Sequence, residues 1–256
     1  MVRIHRAATA FDQAAPLYER VRPGYPDPAV AWLAGALRLG PDRRVLDLAA
    51  GTGKLTRALI GTGAEVTAVE PVTGMGRTLA AGPDRSPVVG AVAEALPFAA
   101  AVFDAVTVAQ AFHWFANPEA LGELDRVLRP GGDLGLVWNR RDESDPLQAA
   151  ITALLEPRRG DTPSYTTGEW RLAVDGDARF APTDEFHLSW RQPADVEAVA
   201  QRVATVSFVA ALDPAARAGL LDEVRAAATA AAEVAPPLAL AYVTDVFVFS
   251  QVGGRR

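Results

Sequence analysis

Short runs rich in Val and Leu alternate with Ala-rich amphipathic stretches between residues 44 and 139. Arg44-Val-Leu-Asp-Leu-Ala49 reads as a buried strand, and Gly51-Thr52-Gly53 turns it into a helix over Lys54–Ile60. The pattern repeats: Glu65–Glu70 reads as a second strand followed by a helix over 73–81, and Ser86–Val92 as a weaker third strand. Phe103–Ala109 is the fourth, with a helix over 118–128. Arg129-Pro-Gly-Gly132 stops that helix, because Pro cannot continue it and Gly supplies a turn, and Leu134–Trp138 is the fifth strand. Regular β-α-β-α alternation with short apolar strands predicts an α/β fold, a doubly wound and mostly parallel sheet with right-handed connections.

The flanks read differently. Helices are predicted at 146–156, 193–204 and 213–233, with a strand near 184–191. A late strand over Tyr242–Val252 packs Val243, Val246, Phe247, Val248 and Phe249 too densely for a loop. Ahead of the sheet, residues 11–39 form two predicted helices separated by Arg22-Pro-Gly-Tyr-Pro26. With no repeat or flexible linker between these regions, residues 1–256 are expected to make a single domain.

Composition narrows the chemistry. Half of the 256 residues are hydrophobic, enough for a substantial core, yet no apolar run approaches the roughly 20 residues of a membrane span. The opening Met1–Gln13 stretch is too polar for a signal peptide, so a soluble, cytoplasmic protein is expected. The chain has no Cys, which excludes disulfides, a thiol nucleophile and Cys-ligated metals; with only three His, no metal site is expected. A net charge of −6 argues against a nucleic-acid partner. The pairs Arg43-Arg44, Arg140-Arg141, Arg158-Arg159 and Arg255-Arg256 are either anion sites or solvated surface. Oligomeric state is not legible.

The densest chemical signal is Val45-Leu-Asp-Leu-Ala-Ala-Gly-Thr-Gly53. Glycines between a buried strand and a helix let backbone approach a ligand, and the helix start offers free N–H groups. Glu70, closing the next strand, can accept hydrogen bonds from both hydroxyls of a ribose, or serve only as a helix-start acid. A phosphate loop does not fit, because Leu48 and Leu55 occupy its first Gly and its hydroxyl positions. A dinucleotide fingerprint fails at its third glycine, here Thr56. A ligand with a ribose but no pyrophosphate fits the rest.

Asp47-Leu-Ala-Ala-Gly-Thr-Gly53 resembles the first motif of the class I S-adenosylmethionine-dependent methyltransferases. Several further stretches are similar to their small-molecule branch: Phe11-Asp-x-x-Ala-x-x-Tyr18, Arg22-Pro-Gly-Tyr-Pro26, Glu70-Pro-x-x-x-Met75, Ala93-Glu-Ala-Leu-Pro-Phe98, Gln110-Ala-Phe-His-Trp-Phe115 and Val127-Leu-Arg-Pro-Gly-Gly132. The resemblance covers roughly residues 11–139. It implies a seven-stranded Rossmann-like sheet with an antiparallel last strand, and S-adenosyl-L-methionine as cofactor. It also implies that Asp47, Ala49, Gly51 and Gly53 line the methionine end of that cofactor and that Glu70 holds the ribose. Pro71 and Met75 would lie near the adenine, and Ala93 and Glu94 at its edge. Gln110 and Ala111 would contact the amino-acid portion by backbone, and Tyr18 and Arg22 would close over the carboxylate end. Ala49 replaces a family glycine, a change that suits a negative φ. Val92 stands where many relatives carry Asp.

Residues 11–39 are thus expected to act as an N-terminal helical lid, and 140–191 as a cover on the acceptor side where Tyr165, Trp170, Phe186 and Trp190 supply aromatic surface. His113 is the catalytic candidate, as a general base for an oxygen or nitrogen nucleophile or else as a hydrogen-bonded wall residue. Trp138 and Asn139 are a second acceptor-side candidate. The activity implied is methyl transfer to a small molecule by in-line displacement. The alternatives are a nicotinamide-dependent oxidoreductase, disfavoured by Thr56 and by the lack of a Tyr-x-x-x-Lys pattern, and a catalytically idle S-adenosylmethionine-binding regulator.

Overall fold

The computed structural model describes residues 11–83 and 86–253; Arg255-Arg256 falls outside these. Five strands, β1 (Arg44–Leu48), β2 (Glu65–Val69), β3 (Val88–Val89), β4 (Phe103–Ala109) and β5 (Leu128–Arg141), form the predicted alternating half of the sheet. Two more, β6 (Phe180–Pro193) and β7 (Ala239–Gln251), complete a seven-stranded sheet in the order β3-β2-β1-β4-β5-β7-β6. All pairs from β3 to β5 are parallel, and β7 runs antiparallel to both neighbours. The expected antiparallel last strand is therefore present, inserted between β5 and β6.

Two strands depart from the sequence reading. The third shrinks to Val88–Val89, because an edge strand pairs on one side only, here with Ala68 and Val69. The fifth begins early: Leu128 already pairs with Phe103, and a register shift then brings Asp133 opposite Ala105. Gly131, at φ +80°, sits in this bulge, so Arg129–Gly132 ends the preceding helix as predicted but lies inside the strand.

Helices cover both faces. On one, α2 (Asp27–Ala36) and α3 (Lys54–Ile60) bury Leu33, Leu55 and Leu59 against Val45, Val66, Val137 and Val246. On the other, α5 (Pro118–Val127) packs Leu121 and Leu124 against Leu46, Val106 and Leu136. A separate cluster joins α6 (Pro146–Leu155), α8 (Val196–Ala204), α9 (Ser207–Ala210) and the long α10 (Pro214–Val234) beside the start of β7. The short α7 (Glu169–Asp175) places Trp170 under Trp138.

The first helix, α1 (Phe11–Val21), lies across the strand ends and is anchored at three places. Asp12 accepts a hydrogen bond from the Gly74 N–H of α4 (Thr73–Ala80) at 2.6 Å. Glu19 pairs with Arg57 at 2.6 Å and Lys54 at 3.5 Å, and Arg22 binds Thr205 beyond α8.

Candidate active site

Open α/β sheets collect ligands at the carboxyl ends of their strands. Here a cavity of about 510 Å³ lies there, within the 300–1,000 Å³ usual for small-molecule sites. Its lining follows strand order: Glu70 after β2, Ala49 and Gly51 after β1, Gln110 and Ala111 after β4, Asn139–Arg141 at the end of β5, and Leu240 and Tyr242 at the start of β7.

Glu70 is the centre of the first part. Its carboxylate accepts hydrogen bonds from the backbone N–H of Gly51 and of Val72, each at 2.7 Å, and is 7% exposed. Burial pushes its pKa up to about 7 against those two bonds. It is thus both a wall group and the clasp that fixes the Gly51 turn to β2. Gly51 holds φ +59°, with open space where a side chain would begin. Thr52 Oγ1, in the same turn, is buried without a hydrogen-bond partner. An open glycine, an orphaned hydroxyl and an acceptor-rich carboxylate together fit a hydroxyl-bearing nucleoside.

Other predicted residues fall along the same wall: Pro71, Met75, Ala93 and Glu94 beside Glu70, with Tyr18 and Arg22 reaching in from α1 and the turn after it. Two do not line it. Asp47 is fully buried below the turn, accepting bonds from the hydroxyls of Thr56 (2.6 Å) and Thr107 (2.9 Å). Burial pushes its pKa up to about 6 even so. Its role is to join β1, α3 and β4, and the cofactor contact expected of it is corrected accordingly. Gly53, at φ +87°, likewise stays behind the wall, where a Cβ would meet Leu79.

Ala49 corrects a second expectation. Its φ is +55°, not negative, so a family glycine position is here filled by a strained alanine at a cost of roughly 1–2 kcal/mol. Gln110, also left-handed at φ +62°, follows the adjacent strand β4 and lines the same cavity. Strained backbone gathers at this site, as it does where a ligand's position over-determines the chain.

His113 lies in a single 3₁₀ turn, Phe112–Trp114, on the cavity wall. Desolvation lowers its pKa to about 4. Its Nδ1 accepts a long hydrogen bond (3.4 Å) from the Trp138 indole N–H, which puts the proton on Nε2. The ring is a neutral donor and a weak base. Asn139 is occupied as well, donating to Gly24 O at 2.9 Å and accepting from Thr244 at 2.6 Å, so it docks the N-terminal loop. Of the predicted cover, Tyr165 lines the cavity and donates to Asp245, whereas Phe186 stacks on Trp32 across the sheet and Trp190 stacks on Tyr242. Sequence reasoning missed Thr152, Arg202 and Tyr242, which reach the cavity from α6, α8 and β7.

The sheet order, the Gly turn and the strand-end carboxylate define an open α/β protein with a cavity at the carboxyl ends of its strands. A model described as a methyltransferase domain matches residues 46–136. An uncharacterized methyltransferase of Mycobacterium tuberculosis is 48% identical over 134 residues, 52% of this chain and 54% of that protein. A demethylmenaquinone methyltransferase of the same species is 48% identical over 101 residues, 39% and 42% of the two chains. A solved structure from Anaeromyxobacter dehalogenans, provisionally named a type II methyltransferase, shares 25% identity at a TM-score of 0.61, covering 90% of this chain and 97% of its own. Residues 46–136 are thus similar to a methyltransferase domain, and the fold of the chain is similar to that of a solved structure so named. The chain spans about half the length of these curated relatives. No described helix is long and apolar enough to cross a membrane, and no described cluster of His, Asp and Glu could hold a metal.

Proposed function

We propose that the protein transfers a methyl group from S-adenosyl-L-methionine to a small-molecule acceptor held in the same cavity. The observation that carries this reading is Glu70, whose carboxylate clasps the Gly51 N–H beside an open, left-handed glycine. Glu70 would take the ribose hydroxyls, and Pro71, Met75 and Ala93 the adenine. Gly51, Gln110 and Ala111 would take the methionine arm with backbone groups, with Tyr18 and Arg22 closing over it from the α1 end.

When bound, the cofactor supplies a methyl group already activated by its sulfonium, so positioning the acceptor can provide much of the acceleration. The chain's residues fit that demand. Trp138, Tyr165 and Trp170 pack with ring centroids 4.4–5.6 Å apart, giving a stiff aromatic wall beside His113. His113 Nε2–H can orient an acceptor oxygen but is poorly suited to remove its proton. A small molecule suits the cavity's volume and its enclosure by α1, α6 and α8.

Titration calorimetry with S-adenosylmethionine, S-adenosylhomocysteine and NAD tests the cofactor assignment. The first two should bind and NAD should not. Tight NAD binding with no response to S-adenosylhomocysteine would overturn it.

A further inference from the structure

Three guanidinium groups meet at the β5–β7 end of the cavity, and none of the three is in an ion pair with a carboxylate. Arg22 donates to the Thr205 hydroxyl at 2.8 Å and to its carbonyl at 2.9 Å. Arg202 donates to the Tyr242 hydroxyl at 3.2 Å and lies over its ring. The side chain of Arg141, a residue paired across the sheet with Tyr242, makes no hydrogen bond or ion pair to any described residue. Neighbouring arginines of the same wall are matched: Arg140 with Asp245 at 2.7 Å and Arg159 with Glu156 at 2.9 Å. The shortage of counter-charge is therefore local to the three.

Their surroundings are unfavourable for unmatched charge. Burial and the nearby Arg202 lower the pKa of Arg141 to about 10, and burial lowers that of Arg22 to about 9. Glu143 and Glu156 only partly offset this at Arg141. Thr152 Oγ1, on the same wall, is buried with no partner. Beside Glu143, Gln148, Glu156 and Ser207, this end carries an apolar face made by Ile151, Leu155, Val199, Val203, Phe208 and Leu240.

The cofactor's own carboxylate does not account for the cluster. β2 and β5 are three strand spacings apart, about 14 Å. A methionine arm of five bonds from a ribose at Glu70 covers roughly half of that. The arm can end at Arg22 or Arg202, which both border the Gly turn, but Arg141 does not border it and lies beyond the arm's reach. The arm also brings an ammonium and a sulfonium, which add positive charge.

We propose that Arg141 and Arg202 form the anchor for an amphipathic anionic acceptor, an apolar body ending in a carboxylate or phosphate. The inference rests on the methyltransferase reading for the word acceptor, and on the cluster alone for the anion.

The test titrates the full chain, with and without saturating S-adenosylhomocysteine, with octanoate, octyl phosphate and the neutral octanamide. At least one anion should bind about 10–100-fold more tightly than octanamide, the scale of a charge-assisted contact. Whichever anion binds better identifies the head group. Arg141→Gln should abolish the discrimination while changing S-adenosylhomocysteine affinity by no more than about threefold, because Arg141 reaches the cofactor end only through its charge on Arg22. Arg202→Gln should reproduce the effect, so a misfolded variant does not decide the matter. Equal binding of all three probes, or no anion binding, overturns the proposal. So does Arg141→Gln weakening S-adenosylhomocysteine while anion discrimination survives. Anion binding without any response to S-adenosylhomocysteine would instead refute the methyltransferase reading and leave the anchor standing.

Discussion

Truncating Glu70 to Ala removes a carboxylate that is 7% exposed and bound to two backbone N–H groups at 2.7 Å. In the complex it would exchange part of that bonding for ribose hydroxyls, so its loss should weaken S-adenosylhomocysteine by roughly 10–100-fold, ~1.5–3 kcal/mol. The structure adds a sharper signature. In the free protein burial holds the Glu70 pKa at about 7, so one pH unit below this only about a tenth of the carboxylate is ionised. Ribose hydroxyls donate to the ionised form and favour it, so binding releases a proton. Affinity should be flat above about pH 7.5 and fall close to tenfold per unit below pH 7, about 1.4 kcal/mol per unit, until the pKa of the complex is reached. Calorimetry from pH 5.5 to 8.5 in buffers of different ionisation enthalpy measures both the slope and the proton released. The Glu70→Ala variant should be weaker at pH 8 and nearly independent of pH. If wild type and variant share one slope, or one dissociation constant, Glu70 does not hold the cofactor and serves only to clasp the Gly51 turn.

Four further outcomes follow from the same geometry. The fully buried Asp47 has its folded pKa raised from 3.8 to about 6, so its stabilising share is complete below pH 3.8 and is lost as pH rises through 6, on the order of 3 kcal/mol. Asp47→Asn should therefore gain stability over wild type between pH 5 and pH 8 in urea melts, and a constant difference would refute this. Ala49→Gly relieves a left-handed alanine at roughly 1–2 kcal/mol but loosens the unfolded chain by about 0.4–1, so its melting temperature should match or exceed wild type; a loss of more than about 1 kcal/mol would contradict the strain. Gly74→Ala would put a Cβ 2.2 Å from the Asp12 carbonyl oxygen, so α1 should lift. Hydrogen exchange over residues 11–21 should speed up and S-adenosylhomocysteine affinity should drop, and unchanged protection would show that α1 is not held there. Because His113 titrates near pH 4, the turnover rate should show no acid limb from it between pH 6 and 7, and His113→Asn should keep most of the rate; a limb that vanishes in the variant would restore His113 as the base.

The expectations that held were written in local chemistry. A run such as Val45–Leu48 can only be a strand between two covered faces, and Gly51-Thr52-Gly53 can only turn it, because both facts depend on neighbours within a few residues. Asp47 shows where this ends. Its motif position is the same whether it faces a ligand or a pair of hydroxyls, and the deciding partner, Thr107, lies 60 residues away on β4. Thr56, a misfit to a dinucleotide fingerprint when read alone, is the other half of that arrangement. Ala49 shows a second limit, since nothing in its composition reveals which sign of φ the turn imposes.

The Arg140-Arg141 pair shows the third limit, and it bears on function. Two adjacent arginines read as one patch of charge, yet successive residues of a strand point to opposite faces. Arg140 finds Asp245, 105 residues on, whereas Arg141 has no ion-pair partner and lies beside Tyr242 and Arg202, with Glu143 and Glu156 acting on it only at longer range. Whether an arginine is spent on structure or left for a ligand is thus settled by partners from the far end of the chain, on β7 and α8. Those elements lie outside residues 46–136, the stretch matched as a methyltransferase domain. The matched stretch, about a third of the chain, builds the Gly turn and carries Glu70. The rest of the chain supplies Arg202, Tyr242 and the apolar wall of α6 and α8, where the proposed acceptor would be selected. Substitutions that change the acceptor without disturbing cofactor binding should therefore concentrate in residues 141–242, with Arg141 and Arg202 first among them.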